Sequence, residues 1–309
     1  MRTKEQLSDA VRRERRAVLV INTRARRGLQ LYERVRSRLA AAGVTPLATY
    51  CVDRPGELED RLAHAVDLGP DLLIAGGGDG TISTAARLLA HRDIALGLLP
   101  LGTTNNFART IGIPLDLDTA VATCTDGTVI DVDLGIAGDM LFTNHVGVGL
   151  SAEVMRKAPR PLKRLTGRLA YPVTALALLT RHRPLRATVR TDDRRHEYVT
   201  HQLYVANGGH HAGRPITADA HADDRLLVAY PVGGPSRRGL LRETVRNAAD
   251  GRRRSHGDEP FLAVDELWIE TDRPAPVEVD GEPRGRTPMR ISLSANALRV
   301  MAPTGTPDH

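Results

Sequence analysis

Residues 72–81 spell LLIAGGGDGT, and this stretch decides the fold. A short apolar run ends in three glycines, an aspartate, a fourth glycine and a threonine, and a helix-like segment follows at 82–90. This order predicts a strand, a tight turn and a helix. Glycine lets the main chain turn sharply and lets a ligand lie directly against the backbone. The exposed N–H groups and the positive end of the following helix would then suit a phosphate group.

Asp79 lies inside this glycine-rich turn, where a carboxylate would repel a phosphate unless a cation lay between them. The pattern therefore suggests Mg²⁺ carried in with a nucleotide. An ordinary strand-to-helix turn that needs flexible residues is the simpler interpretation, but four glycines and an aspartate within residues 76–80 favour a ligand. The spacing matches neither the Walker A loop nor G-x-G-x-x-G, so a phosphate-binding turn of another type is predicted.

Composition narrows the class of protein. A chain of 309 residues that is 41% hydrophobic predicts two domains, each with a core. Aromatic residues make up only 3%, which argues against nucleic acid as a partner, and the net charge of +6 suits phosphorylated ligands or anionic membranes. Two cysteines without metal-ligand spacing suit a reducing cytosol. The charged N-terminal segment and the lack of an apolar run of ~18 residues predict neither a signal peptide nor a membrane span.

Strands alternate with helices in the first part of the chain, which predicts a parallel sheet covered on both faces. The strands are predicted at 17–21, 44–52, 71–75 and 94–99, and the helices at 31–42, 56–68, 82–90, 106–111 and 116–124. After about residue 127, short strands separated by Gly, Pro and Asp predict an antiparallel second domain. Its strands are predicted at 129–134, 140–146, 185–190, 197–205, 226–230, 261–270, 277–279 and 289–293, with helical insertions at 151–156, 162–181 and 235–246.

A second glycine turn follows the fourth predicted strand, in the sequence LPLGTTNNFAR at residues 99–109. Because the carboxyl ends of parallel strands meet at one edge of a sheet, the two turns predict a single polar cleft rich in N–H donors. Thr103 or Thr104 would cap the following helix, or hold a phosphate or adenosine group.

Together the two turns resemble the catalytic-domain family of the diacylglycerol kinases, a group that includes bacterial YegS-like lipid kinases and sphingosine kinases. Further segments match in the right order: NHVGVGLSAE at 144–153, ANGGHHAG at 206–213, DDRL at 223–226 and VEVDGEP at 277–283. The resemblance implies ATP-dependent phosphorylation of a lipid hydroxyl. It also implies an ATP-binding α/β domain at 1–134, to which 294–309 return, and a β-sandwich substrate domain at 135–293 that is similar to the one in NAD kinases.

Matching position by position implies the site residues. The nucleotide would be bound by Asn22, Gly77, Gly78, Asp79, Gly80, Thr81, Gly102, Thr103 and Asn105. Glu282 would be the general base that takes the proton of the lipid hydroxyl, and Asp79 the second catalytic carboxylate. Asp79 would also hold Mg²⁺, while Asp224, with carbonyls near His221 and Leu226, would form a structural Mg²⁺ site. Without the resemblance, Glu282 and Asp224 are interpreted as solvated charges.

Several positions depart from the family pattern. Asn106 and Ser151 each stand where the pattern has an aspartate, and residues 83–84 are Ser-Thr instead of Asn-Glu. The first turn, residues 22–28, carries three arginines that would contribute to triphosphate binding. The loss of two carboxylates leaves the metal arrangement and the substrate open.

The leading function is an ATP- and Mg²⁺-dependent lipid kinase of phospholipid biosynthesis, with diacylglycerol or a related lipid as acceptor. Two alternatives stay open: an NAD kinase-like enzyme, which shares the Gly-Gly-Asp-Gly turn, and a nucleotide-binding regulator without turnover. Residues 156–168 carry six cations and no acid, which would let a cytoplasmic protein dock on the inner face of an anionic membrane. A solvated loop is the alternative for that segment, and a homodimer stays open as the assembly.

Overall fold

The computed structural model of the chain describes residues 1–23, 28–54, 56–157, 182–211, 214–215, 225–236 and 262–306. The chain divides into two compact units: one comprises Met1–Leu134 and Ser294–His309, and the other Gly135–Ala220 and Arg225–Leu293. The predicted helices at 162–181 and 235–246 lie outside the described residues.

Helices and strands alternate through the first unit. They are α1 (Lys4–Glu14), β1 (Ala17–Asn22), α2 (Gly28–Ala41), β2 (Ala48–Val52), α3 (Glu57–Asp67), β3 (Leu72–Gly77), α4 (Asp79–Leu89), β4 (Ala95–Pro100), α5 (Asn106–Thr110), α6 (Leu117–Asp126) and β5 (Thr128–Ala137), whose last residues belong to the second unit.

The strands of the first unit form the predicted parallel sheet, in the order β2-β1-β3-β4. The last part of strand β18 (Met289–Ala302) lies parallel beside β4, with Val300 opposite Leu96. Because β1 has β2 on one side and β3 on the other, the sheet has a switch point at the carboxyl ends of β1 and β3. This is the position where open α/β sheets bind ligands.

The burial of these strands is consistent with their parallel pairing. Every residue of β3 and β4 is buried, as expected for strands that are covered on both faces. The core of the unit includes Leu19, Ile21, Ile74 and Leu99, whose side chains have no exposed area. Each such aliphatic side chain stabilises the fold by ~1.5–3 kcal/mol relative to an exposed one.

Helix α1 has no counterpart among the predicted helices, because its segment is dominated by charge. A capping box begins it: Thr3 Oγ1 accepts from the Gln6 N–H at 3.2 Å, and Gln6 Oε1 accepts from the Thr3 N–H at 2.9 Å. Leu7 and Val11, one helical turn apart, are buried against the core. The cap and these buried apolar side chains therefore stabilise a helix that the charged sequence does not predict.

The second unit consists mainly of strands. They are β6 (Met140–Phe142), β7 (His145–Gly149), β8 (Leu185–Arg190), β9 (Arg195–Thr200), β10 (Gln202–Asn207), β11 (His210–His211), β12 (Arg214–Pro215), β13 (Leu227–Val232), β14 (Leu262–Val264), β15 (Glu266–Thr271), β16 (Pro276–Val279), β17 (Glu282–Arg286) and the first part of β18, with the helix α7 (Leu150–Lys157).

Two antiparallel sheets make up this unit. One has the order β14-β13-β10-β7-β16-β17, and the other has the order β18-β15-β8-β9. Residues from both sheets share one core, including Val148, Val205, Val189 and Ile269, none of which is exposed. The expected β-sandwich is confirmed.

Three of the predicted strands are each divided in two. The strand predicted at 140–146 breaks because the N–H groups of Thr143 and Asn144 donate to the Asp280 carboxylate, at 2.8 and 2.9 Å, and not to a neighbouring strand. The other two divide between β9 and β10 and between β14 and β15. Strand β17 has no predicted counterpart, because its five residues are all exposed and lack an alternating pattern.

Charged residues tie the N-terminus to the first unit. The Arg2 guanidinium donates to Asp71 at 2.6 Å and to Asp93 at 2.9 Å, and Arg299 also pairs with Asp93. Asp71 is buried, so Arg2 offsets the loss of water around that carboxylate. Burial alone would raise the pKa of Asp93, but the hydrogen bonds from Arg2 and the charges of Arg2 and Arg299 outweigh it and hold that pKa below its ordinary value.

We expect Arg2→Ala to lower the free energy of unfolding at pH 7 by about 1–2 kcal/mol, a modest loss because the pair is partly exposed. The lowered pKa of Asp93 means that its stabilisation is present above about pH 4 and is lost as the pH falls through the folded-state value. The difference between variant and wild type should therefore shrink on acidification. Urea unfolding at pH 7 and pH 3 measures this. Arg13→Ala is the control, because Arg13 is exposed and lies 3.8 Å from Asp9.

Candidate active site

The two glycine turns lie side by side at one edge of the parallel sheet. Strands β3 and β4 are neighbours, with Gly76 opposite Leu99 and Gly77 opposite Pro100. The Leu101 N–H continues this pairing into the turns by donating to the Gly77 carbonyl at 2.9 Å. The register of two strands therefore places the turns next to each other.

Gly78 and Gly102 touch through their main chains. A Cβ atom on Gly102 would lie 2.5 Å from the Gly78 Cα and 2.6 Å from Asn105 Oδ1, which is closer than real atoms approach. A Cβ on Gly77 would lie 2.4 Å from Thr81 Oγ1. These glycines are thus required for close packing of the backbone, in addition to any contact with a ligand.

Asp79 links the two turns. Its Oδ2 accepts a hydrogen bond from Thr104 Oγ1 at 2.7 Å, and its Oδ1 accepts from the Phe107 N–H at 3.3 Å. A hydrogen bond to a charged group contributes about 1.5–3 kcal/mol. The carboxylate therefore holds the second turn against the start of α4.

Asn105 shapes the second turn from within. Its backbone is left-handed, with φ 48°, a conformation that asparagine tolerates better than most residues. Its side-chain oxygen accepts from the Gly102 N–H at 2.9 Å, and its amide donates to the carbonyls of Pro100 and Gly102 at 3.2 and 3.1 Å. Asn105 is also the N-cap of α5, so the prediction that Thr103 or Thr104 caps this helix is wrong.

Asn22, at the end of β1, reaches the first turn. Its amide donates to Thr81 Oγ1 at 3.1 Å, and this contact spans the switch point between β1 and β3. Thr81 itself is buried and packs beneath Gly77. Both residues therefore brace the turn from below.

The start of α4 is suited to an anion. Its N-cap is Gly78, which has no side chain to bond the N–H groups of the first turn. Those groups carry the positive end of the helix dipole, and Gly80 beside them is exposed. Asp79, the first helical residue, also interacts favourably with that dipole, which is the structural role it would have without any ligand.

Seven of the predicted nucleotide-binding residues meet in one cluster of contacts: Asn22, Gly77, Gly78, Asp79, Thr81, Gly102 and Asn105. Gly80 and Thr103 lie on the exposed side of the same turns. The predicted arginines of the first turn, at 24–27, and the predicted metal ligand Asp224 lie outside the described residues. Sequence reasoning did not find the role of Thr104 as the partner of Asp79, because the two are 25 residues apart.

A second polar cluster lies in the β-sandwich unit, around Asp280. This residue follows β16 with φ 47°, and its carboxylate accepts from the N–H groups of Thr143, Asn144 and His145 at 2.8–3.0 Å. The sequence predicts only a hairpin turn here, because the partners are more than 130 residues away. The carboxylate fixes the turn that leads to Glu282.

Glu282, the predicted general base, begins β17 on the far side of that turn. Its side chain is 48% exposed and forms an ion pair with Arg284 at 2.6 Å. An accessible carboxylate can accept a proton from a substrate hydroxyl.

The described residues offer few ligands for a metal ion. Within the described ranges, no group of three or more His, Cys, Asp or Glu side chains could hold a metal ion. Mg²⁺, however, is commonly held by one or two carboxylates together with substrate phosphates. Each oxygen of Asp79 accepts one hydrogen bond and retains a second lone pair, so this carboxylate fits an ion that arrives with a nucleotide.

Comparison with family models covers both units. Residues 16–137 match the model described as the diacylglycerol kinase catalytic domain. Residues 144–302 match the YegS C-terminal NAD kinase beta sandwich-like domain. The first match contains both glycine turns, and the second contains the turn from Asp280 to Glu282.

Curated relatives are similar over most of their length. A protein named probable lipid kinase YegS-like, from Pseudomonas aeruginosa strain UCBPP-PA14, is 31% identical over 283 residues, which are 89% of this chain and 91% of the relative. One of the same name from Stenotrophomonas maltophilia strain K279a is 29% identical, over 82% and 85%. A crystal structure of a diacylglycerol kinase from Bacillus anthracis strain Sterne has a TM-score of 0.75 at 22% identity, covering 93% of this chain and 97% of that one, and supports the fold.

We expect Gly102→Ala to destabilise the protein by about 1–3 kcal/mol, because the new methyl group overlaps the Gly78 backbone. The matched control is Gly80→Ala in the same pair of turns. A Cβ there meets nothing within 4 Å, and alanine in the helix should leave stability unchanged or raise it by about 0.4–1 kcal/mol. Thermal unfolding of both variants measures the difference. Equal melting temperatures would contradict the close contact.

Proposed function

This chain belongs to the diacylglycerol kinase catalytic-domain family, and from that premise we propose that it is an ATP-dependent kinase that phosphorylates a hydroxyl group of a lipid. Residues 1–134 with 294–309 would bind ATP, and residues 135–293 would bind the lipid. Diacylglycerol or a related lipid alcohol is the proposed acceptor, which would place the enzyme in phospholipid biosynthesis.

The observation that carries this proposal is the close main-chain contact between the two glycine turns. Gly78 and Gly102 bring two stretches of main chain together without side chains between them, at the carboxyl ends of β3 and β4 and beside the switch point of the sheet. The uncapped first turn of α4 faces the same edge. A triphosphate can accept hydrogen bonds from exposed backbone N–H groups and can share a cation with a nearby carboxylate. It is therefore the ligand that suits this arrangement.

In the proposed reaction, the lipid hydroxyl oxygen attacks the γ-phosphorus of ATP, the bond to the β–γ bridging oxygen breaks, and ADP leaves. Glu282 takes the hydroxyl proton as the new bond forms. The turns at Gly78 and Gly102 would hold the phosphates in line with the acceptor. Asp79 would hold Mg²⁺, which neutralises phosphate charge when it is bound.

The proposed location is the cytoplasm, with contact at the inner membrane face where a lipid acceptor resides. None of the described helices is both long and apolar enough to cross a bilayer. The basic segment at 156–168 supports attraction to anionic headgroups, although all but its first two residues lie outside the described ranges. A homodimer is retained as the proposed assembly.

The function is tested with γ-³²P-labelled ATP, Mg²⁺ and a panel of diacylglycerol, a sphingoid base, a glycolipid and NAD. We expect label in one lipid with wild type and at least about a 10²-fold loss with Asp79→Ala. Thr104→Val is the matched control, because it removes the hydroxyl that donates to Asp79 but keeps the carboxylate and its bond from the Phe107 N–H, so its loss should be much smaller. Label on NAD would instead identify an NAD kinase, and ATP binding without any labelled product would identify a regulator.

We expect Glu282→Gln to lower kcat by about 10²–10⁴-fold while leaving the KM for ATP unchanged, because the amide cannot accept the proton. Glu266→Gln is the matched control. Glu266 is another exposed strand glutamate paired with an arginine, Arg290, also at 2.6 Å, and its replacement should leave kcat unchanged. Steady-state kinetics with the labelled lipid measure both, and equal rates for the two variants would remove Glu282 as the base.

A further inference from the structure

We infer that Glu278, a buried carboxylate on β16, is a positioning residue that holds the turn carrying Glu282 in its working conformation. This inference rests on the proposed function, because it concerns the same proton transfer. Three residues separate the two glutamates along the chain, but their surroundings are opposite. The side chain of Glu278 is 1% exposed and that of Glu282 is 48% exposed.

Both oxygens of Glu278 are used inside the β-sandwich unit. Its Oε2 accepts from the Gly281 N–H at 2.8 Å. Its Oε1 lies 3.2 Å from His145 Nε2 and accepts from Ser151 Oγ at 3.3 Å. The carboxylate thus joins the turn at Gly281 to β7 and to the start of α7.

The cost of burying a carboxylate at this position must be offset by favourable interactions. Its neighbours on β16, Val277 and Val279, are buried apolar residues of the core. Removing an ionised carboxylate from water costs several kcal/mol before its partners offset the loss. A Cβ on Gly147 would lie 2.3 Å from Glu278 Oε1, so the opposite strand leaves room for this side chain only because it has a glycine there. The pocket is shaped around the carboxylate.

Asp280 holds the same turn from the other side. Asp280 and Gly281 both have positive φ, 47° and 84°, which is a costly conformation for the aspartate. The Asp280 carboxylate accepts three N–H bonds from residues 143–145, and the Asp280 N–H donates to the His145 carbonyl at 2.9 Å. The carboxylates of Glu278 and Asp280, each with several hydrogen-bond donors, therefore hold this strained turn in place.

The effect of Glu278 on the reaction must be indirect. The Glu278 side chain is almost completely buried and cannot touch a substrate. His145 directs Nε2 at Glu278, and its ring packs edge-on against Tyr204 with centroids 5.5 Å apart. Glu278 accepts a hydrogen bond from the Gly281 N–H, and Gly281 is the residue immediately before Glu282. A displacement of about 1 Å in a reacting group can cost about 10²-fold in rate, so fixing this backbone matters for the proposed base.

The test compares three replacements of Glu278 in the full-length protein. Glu278→Gln keeps an oxygen to accept from Gly281 and should retain kcat within about threefold. Glu278→Met fills the same volume but removes the acceptor, and should lower kcat by about 10–10²-fold without changing the KM for ATP. Glu278→Asp retracts the carboxylate by one methylene and should give a loss between these, which provides a second comparison if the methionine variant does not fold.

A double-mutant cycle separates positioning from general destabilisation. If Glu278 acts through Glu282, then Glu278→Met should cause no further loss in the Glu282→Gln background. Amide hydrogen exchange gives a readout that does not need activity: protection of the Gly281 N–H should fall in the methionine variant and stay unchanged in Glu282→Gln.

Failure of the positioning role can be told apart from failure of the proposed function. Additive losses in the cycle, or unchanged Gly281 protection in an active but slowed variant, would overturn the positioning role. If wild type labels no lipid, the proposed function fails and the catalytic consequence of Glu278 fails with it. Loss of Gly281 protection in Glu278→Met would then still identify the contact as a structural clamp only.

Discussion

The contact between the main chains of Gly78 and Gly102 is the constraint on which the site in the first unit depends. Two parallel strands in register bring the turns together, and the absence of two Cβ atoms lets them touch. A Cβ atom at Gly102 would lie 2.5 Å from the Gly78 Cα, so any side chain there would force the two turns apart. The Asp79 carboxylate then secures the contact through Thr104 and Phe107, so that the residue proposed to hold a cation also organises the two turns.

This arrangement explains why a charged residue can lie in a turn that is proposed to bind phosphates. The helix dipole and two hydrogen-bond donors stabilise the carboxylate in the absence of any ligand. The turn is thereby preorganised, so the proposed binding of a triphosphate with its cation would not require the protein to build it at that moment. Asn22, Thr81 and Asn105 belong to the same framework, because their side chains bond to the turns themselves.

The β-sandwich unit uses a related device with different residues. Asp280 and Glu278 each direct a carboxylate at backbone N–H groups, and together they hold a turn that contains two residues with positive φ. A chain that keeps such conformations must be held by its surroundings. The proposed base, Glu282, lies directly after this turn, where its backbone is constrained and its side chain is accessible.

Much of the fold could be predicted because its signals are local. Apolar runs of four to six residues followed by helical periodicity indicate parallel strands, and nearly every strand of the first unit lies within a few residues of its predicted position. The errors have physical causes. Helix α1 has only two strongly buried apolar side chains among many charges, and the strand predicted at 140–146 is broken by a side chain distant in the chain.

By itself, the sequence determined the α/β and β-sandwich classes, the two glycine turns and the family, because each depends on residue types that are close together in the chain. The tertiary structure decided which side chains serve those turns. Thr104 as the partner of Asp79, Asp280 as the acceptor for residues 143–145, and Glu278 as the clamp on Gly281 all depend on strand register or on contacts that span many residues. A hydrogen bond between distant residues leaves no periodic trace in a single sequence, so only the folded chain reveals it.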